Sequence, residues 1–119
     1  MSDYKVRGRI WVAKENEVPF LGPGRISLLQ KIEDLGSIRA AAKALGMSYR
    51  RAWRLVESLN RESPVLLVST TVGGAGGGGA RLTPAGKAIL EMFEDLEAHF
   101  QEFLEQETEK IRKKFENLK

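Results

Sequence analysis

The feature that most constrains this chain is its helix punctuation between Gly36 and Ser48. Gly36 and Ser37 form a stop followed at once by a start. Gly46, Met47 and Ser48 do the same ten residues later. Glycine suits the residue just after a helix, where the backbone turns left-handed, and serine suits the N-cap, where its hydroxyl accepts from an orphan amide. The spacing predicts three helices. The first covers about Gly24 to Leu35, with Leu28, Leu29, Ile32 and Leu35 on its inner face. The second opens at Ser37 and buries Ile38, Ala41, Ala42 and Leu45. The third opens at Ser48, runs to about Asn60, and buries Ala52, Leu55, Val56 and Leu59. Two capped helices on a three-residue turn make a helix-turn-helix over about 36–60, or an ordinary helical hairpin in a small bundle.

The flanking segments narrow this choice. Val65 to Val72 is an apolar, β-branched run, a glycine-rich loop follows, and Ala80 to Thr83 reads as a return strand. A strand, loop and strand after a helix-turn-helix make a wing over about 65–83. Thr83 and Pro84 are an N-cap and first helical residue, and they open a last helix running nearly to the end. Its apolar residues, Ile89, Phe93, Leu96, Phe100, Phe103 or Leu104, Ile111, Phe115 and Leu118, recur at close to heptad spacing. Such a helix is roughly 50 Å long, longer than a domain of this size can cover. A two-fold partner is therefore expected, with the helix as the dimerisation element. The alternative is fraying beyond Glu105, since Glu107 falls on the seam. The fold class is mainly α with a small β wing, with a DNA-binding domain over 1–83 and a dimerisation helix over 84–119. At the other end, Tyr4 to Val12 alternates as a half-buried strand would, and Pro19 to Gly24 reads as a turn-rich connection.

Charge is unevenly placed. Residues 1–81 hold 13 Lys/Arg against 7 Asp/Glu, and residues 82–119 hold 6 against 9. A basic body suits a polyanionic partner. Arg50, Arg51 and Arg54 crowd the start of the third helix, where Arg51 replaces the acid of a capping box. Arginine there opposes the positive end of the helix dipole at about 0.3–1 kcal/mol each. An external anion would relieve this, because exposed amides and guanidinium groups converge on it. Double-stranded DNA is the natural candidate, and arginine also reads guanine bidentately in the major groove. The bland reading is a solvated basic face. Ser37, Ser48, Tyr49, Arg50, Arg51 and Arg54 are the candidate DNA-binding residues of the helices. Tyr49 could instead pack under the turn. Trp53, beside the buried stripe, reads as core.

Gly74, Gly76 and Gly79 formally match a dinucleotide-binding glycine pattern, but no helix opens directly after them and no Gly-Lys-Ser/Thr follows. The better reading is a wing tip at Gly76, Gly77 and Gly78 whose bare backbone approaches a sugar–phosphate chain; a flexible hairpin without contacts is the alternative. Arg81, with Thr70 and Thr71, stands at its base. Catalysis finds no support. Cysteine is absent and His99 is the single histidine, so thiolate and multi-histidine metal sites are excluded. The acid pairs Glu94/Asp95 and Glu105/Glu107 lie on the long helix, serines lack a histidine base, and His99 reads as a surface residue. No cofactor, metal or enzymatic activity is expected. The N-terminus lacks a signal-peptide apolar region and no run suits a membrane span, so a cytoplasmic location is expected.

The stretch Gly36-Ser37-Ile38-Arg39-Ala40-Ala41-Ala42-Lys43-Ala44-Leu45-Gly46-Met47-Ser48-Tyr49-Arg50-Arg51-Ala52-Trp53 resembles the helix-turn-helix of molybdate-responsive transcriptional regulators of the ModE type. The glycine-rich wing followed by Arg81-Leu82-Thr83-Pro84-Ala85-Gly86 is similar to theirs, and LysR-type regulators share the Ala-Ala-Ala helix and the Leu-Thr-Pro-Ala-Gly step. The resemblance covers about Leu21 to Leu96. It implies a winged helix that forms a homodimer through terminal helices and binds a pseudo-palindromic operator. Its third helix would lie in the major groove and its wing on backbone or minor groove. Full-length members carry C-terminal oxyanion-binding domains. This sequence ends after the long helix, so molybdate is not expected to be sensed within these residues and the effector is left open. Two other readings stay open: an architectural DNA binder without sequence preference, and a protein-interaction module pairing through the long helix.

Overall fold

The computed structural model describes residues 3–71 and 79–119. The order of elements is β1 (Val12–Ala13), β2 (Pro19–Leu21), α1 (Pro23–Leu35), α2 (Ile38–Leu45), α3 (Tyr49–Glu62), β3 (Val68–Thr71), β4 (Gly79–Leu82) and α4 (Pro84–Asn117). The chain is mainly helical with a small β-hairpin wing. It divides into two compact units, one of Trp11–Phe93 and one of the residues up to Ile10 with Glu94–Lys119. The division falls inside α4.

In the first unit, α1 packs on α2 and on β4, and α2 packs on α3. Leu21, Leu28, Leu29, Ile32, Val56, Leu59, Leu67 and Val68 are the largest fully buried side chains. The expected stripes of α2 and α3 are buried at Ile38, Ala41, Ala42, Ala52, Val56 and Leu59, with Leu45 and Leu55 half-buried. Alanine at 41 and 42 lets α2 approach closely without leaving methyl-sized gaps. Leu35 departs from its expected place: it is the last residue of α1 and is exposed, because the chain turns away at Gly36 (φ 70°) before anything covers it.

The wing is an antiparallel pair, with Val68 opposite Leu82, Ser69 opposite Arg81, Thr70 opposite Ala80 and Thr71 opposite Gly79. Val68, Ala80 and Leu82 face the core, while Thr70, Thr71 and Arg81 are exposed. The strand starts three residues later than the apolar run suggests. Asn60 explains this. Its Oδ1 accepts from the Leu67 and Val68 amides at 2.9 and 3.1 Å, and its Nδ2 donates to the Val68 carbonyl at 3.0 Å. A side chain of α3 thus takes the place of a strand neighbour, and Val65 and Leu66 are left exposed. On the other edge the Ala80 amide donates to the Gly36 carbonyl at 3.0 Å, which ties the wing to the turn before α2.

The Thr83-Pro84 start of α4 forms as its sequence indicates. Thr83 Oγ1 accepts from the Gly86 amide at 3.0 Å and donates to the Leu66 carbonyl at 2.7 Å. Gly86 is dictated by closeness: a Cβ there would lie 2.2 Å from the Leu67 carbonyl oxygen. The helix runs to Asn117, so the fraying beyond Glu105 does not occur.

The segment before β1 does not form the expected strand; only Val12–Ala13 pairs, with Pro19–Leu21. That hairpin is not foreshadowed in the sequence, since Pro19 to Gly24 reads as turn-rich. Its turn closes through Lys14 and Val18, with Glu17 at φ 72°. Within the second unit, residues 3–9 run as a strap along the part of α4 from Glu94 onward. The Val6 amide donates to Thr108 Oγ1 at 2.9 Å, Arg112 Nε donates to the Tyr4 carbonyl at 3.1 Å, and Tyr4 stacks on Phe115 with centroids 4.2 Å apart. The alternation that suggests a strand therefore reflects half-burial of Val6 beside a helix, without a ladder.

Candidate nucleic-acid interface

The candidate surface is built from the α2–α3 turn outward. Ser37 Oγ accepts from the Ala40 amide and Ser48 Oγ accepts from the Arg51 amide, each at 3.1 Å. Gly46 closes α2 with φ 68°. Each serine thus spends one of its two acceptor lone pairs on capping and keeps its hydroxyl hydrogen as a donor. Neither α2 nor α3 has an acidic residue in its first turn, so the positive ends of both dipoles stand uncompensated.

Tyr49, Arg50, Arg51 and Arg54 are exposed. Among the described residues, the ion pairs are Arg25–Glu62, Lys87–Glu33 and Lys110–Glu107, and none involves Arg50, Arg51 or Arg54. Arg50, Arg54, Glu57 and Arg61 are all exposed, and at 3.6 residues per turn they fall within an arc of about 60°. Arg61 belongs to this face and was missed, although the spacing 50, 54, 57, 61 would have found it. Arg39, on α2, was also missed: its guanidinium carbon lies 4.2 Å from the centroid of the Tyr49 ring. No sequence signal announces that contact, since it depends on how two helices cross. Tyr49 is therefore neither packed under the turn nor free.

Arg81 is exposed on β4, beside Ser69 across the hairpin. Thr71 Oγ1 is engaged with Gly79, accepting from its amide at 2.9 Å. Gly76, Gly77 and Gly78, the expected wing tip, lie outside the described residues. Trp53 corrects the reading of it as core: it is 37% exposed. It lies about 20° around the helix from Asn60, on the flank of α3 that faces β3.

Arg25 stands apart from the other arginines. It donates to the Phe20 carbonyl at 2.8 Å and to Ser58 Oγ at 2.7 Å, and it pairs with Glu62 at 3.4 Å. Ser58 also donates to Glu62. The Ser58 hydrogen bond, with help from Arg25, holds the Glu62 carboxyl below its usual range against the opposing effect of burial.

Of the residues expected to mediate dimerisation, Phe103, Ile111 and Phe115 are exposed on α4, and Ile89, Leu96 and Phe100 are half-buried. Phe93 and Leu104 are already buried within their own chain, at 2% and 8% exposure. His99 is exposed. No described helix is long and apolar enough to cross a membrane, and no cluster of metal-ligating side chains occurs among the described residues.

The model of the lysR family of bacterial regulatory helix-turn-helix proteins matches residues 24–87, which run from the start of α1 to the start of α4. The chain belongs to that family. Among curated relatives, a molybdenum transport protein ModE of Azotobacter vinelandii is 40% identical over 91 residues, covering 76% of this chain and 34% of the relative. The DNA-binding transcriptional dual regulator ModE of Escherichia coli is 43% identical over 83 residues, covering 70% of this chain and 31% of the relative. The chain thus spans about a third of the length of these relatives. Among solved structures, the DNA-binding domain of CbnR, crystallised with DNA, aligns with a TM-score of 0.59 at 22% identity, covering 75% of this chain and 97% of that one. That likeness places this lysR-family chain among winged helices by fold.

Proposed function

We propose that this chain is the DNA-reading part of a transcriptional regulator that binds a specific operator as a homodimer, in a system linked to molybdate. The observation that carries the reading is the open N-terminal end of α3. Exposed arginines converge there on an uncompensated helix dipole, and no described carboxylate pairs with them. A phosphate and a base edge satisfy such a group together. The names of the ModE relatives support a regulatory role and a link to molybdenum. In this reading Arg50, Arg51 and Arg54 enter the major groove, Ser37, Ser48 and Tyr49 order their approach, and Arg81 with the wing tip holds the backbone.

Pairing through α4 is supported by its exposed Phe103, Ile111 and Phe115. Large apolar side chains exposed on one helix are costly in water unless a second surface covers them, and within the chain Tyr4 covers one face of Phe115. With Phe93 and Leu104 already buried, Leu96, Phe100, Phe103, Ile111 and Phe115 are the residues we assign to the seam. The test is selection from random duplex DNA followed by footprinting, with sedimentation of the same protein. The expected result is a dimer that protects two half-sites about one helical turn apart. Recovery of no motif would instead favour an architectural binder, and a monomer indifferent to DNA would favour a protein-interaction module. Repeating the selection with molybdate reads whether the residues present respond to it.

A further inference from the structure

Trp53 poses a problem that the reading of α3 as a DNA helix does not resolve. Large aromatic side chains are seldom left in water on a helix that also buries a full stripe. Trp53 keeps about a third of its surface in water at 37% exposure, and Leu66, which shares a groove with it, is 54% exposed. Together they line a groove of about 550 Å³ between α3 and β3, whose other walls include Asn60, Arg61, Ser69 and Thr70. Asn60 cannot close the groove, because its side chain is committed to the backbone of Leu67 and Val68.

The chemistry of the groove is layered. Its floor is apolar, one rim carries Arg61 and Glu57 of α3, and the other carries the Ser69 and Thr70 hydroxyls of β3. Within the lining Glu57 offsets Arg61, and the surplus of positive charge comes from Arg54, one turn before Glu57 on the same exposed face of α3. A DNA strand has the matching layers: apolar sugar faces and base edges between regularly spaced phosphates. A protein partner of neutral surface would leave the flanking arginines unpaired.

Resting on the DNA-binding reading above, we infer that this groove receives one sugar–phosphate strand at the edge of the major groove, and that Trp53 is a DNA-contacting residue that presses its ring against sugars and base edges. Arg61 and Thr70 hold the phosphates of that strand. Trp53 thus adds an apolar contact to a surface otherwise recognisable only by its charge.

The chain has two tryptophans, which makes the inference directly readable. In the full chain carrying Trp11→Phe, Trp53 is the single tryptophan. Duplex DNA recovered by selection should change its emission and reduce its quenching by acrylamide severalfold. Trp53→Leu keeps an apolar side chain at a site about a third exposed, and the variant should still melt in one cooperative transition. It should weaken binding about tenfold, within the range that removal of an aromatic contact costs. The slope of affinity against salt should not change, because a contact to sugar or base releases no counterion. If the Trp11→Phe protein binds the duplex but Trp53 stays equally bright and equally accessible, the inference is wrong and the DNA-binding reading survives. If the wild-type chain binds no DNA at all, both fail together.

Discussion

The two ends of α3 carry the same residue types and use them in opposite ways. At the C-terminal end, Arg25 from α1 is locked by Phe20, Ser58 and Glu62, and Asn60 is locked by the start of β3. At the N-terminal end, Arg50, Arg51 and Arg54 are exposed and take part in none of the ion pairs among the described residues. Apart from Arg61, which is exposed like the arginines of the first turn, one end spends its polar groups on the fold and the other keeps them for something outside. The difference teaches that an arginine's role in this chain is set by whether a carboxylate reaches it.

The comparison breaks first, and by the largest amount, if the open end proves structural. Arg50→Ala with Arg51→Ala should reduce operator affinity by about 2–6 kcal/mol, the worth of two bidentate pairs to bases. The melting temperature should stay within a degree or two of wild type, and it should rise if anything, since two charges opposing the helix dipole are removed. The salt slope should become shallower by about 0.9 for each phosphate that the protein no longer neutralises. Arg25→Ala should do the reverse, lowering the melting temperature while leaving the affinity of the folded protein intact. Fluorescence anisotropy and thermal melts on the same preparations read both.

The closed end is tested next at Asn60. Asn60→Ala removes the acceptor for two amides and the donor for one carbonyl. Leaving such groups without partners costs about 2–3 kcal/mol, read as a lower urea midpoint at unchanged m-value. Because Asn60 anchors the wing strand to α3, a loss of affinity should accompany the loss of stability here, in contrast to Arg25→Ala. A variant with normal stability and normal binding would show that the wing is positioned by the Ala80–Gly36 bond alone.

A smaller effect follows from Glu62. Its carboxyl is held below the ordinary value of 4.5, first by Ser58 and then by Arg25. A depressed carboxylate stabilises the fold at pH above its unfolded-state value, and that contribution is lost as pH falls through the folded-state value. The melting temperature of the wild type should therefore drop more steeply below pH 4.5 than that of Glu62→Gln. Parallel curves for the two proteins would mean that the Arg25–Ser58–Glu62 cluster contributes packing and no charge.

Legibility from sequence followed the same division between local and distant causes. Ser37, Ser48, Gly36, Gly46 and the Thr83-Pro84 step were readable because a cap is satisfied within a few residues of itself. The exposed arginines at the start of α3 were readable for the same reason. Asn60 was not, because its partners lie seven and eight residues on, across a turn. Arg25 was not, because its carboxylate is 37 residues away. Trp53 sits at the border of the buried stripe, and only the course of β3 decides whether that flank is covered. The strap before Ile10 misled because a period of two reports half-burial, which a helix surface produces as readily as a sheet.

The finest contrast lies within the open end, at Tyr49. If its role is a phenol hydrogen bond to phosphate, removing the hydroxyl alone should matter. If its role is to hold Arg39, the ring should matter, since the guanidinium lies over its face at 4.2 Å. An exposed contact of this kind is worth about 0.5–1 kcal/mol. The arrangement would spend that on fixing one flexible cation at the mouth of the α2–α3 turn. Tyr49→Phe should then bind DNA as the wild type does, with the same salt slope. Tyr49→Ala should lose two- to fivefold in affinity, about what that interaction energy corresponds to, and Arg39→Ala should lose at least as much and also flatten the salt slope. In the double variant the two losses should not add, because each removes the same oriented charge. A full loss in Tyr49→Phe would instead assign the tyrosine its own phosphate, and Arg39 would return to the solvated face of α2.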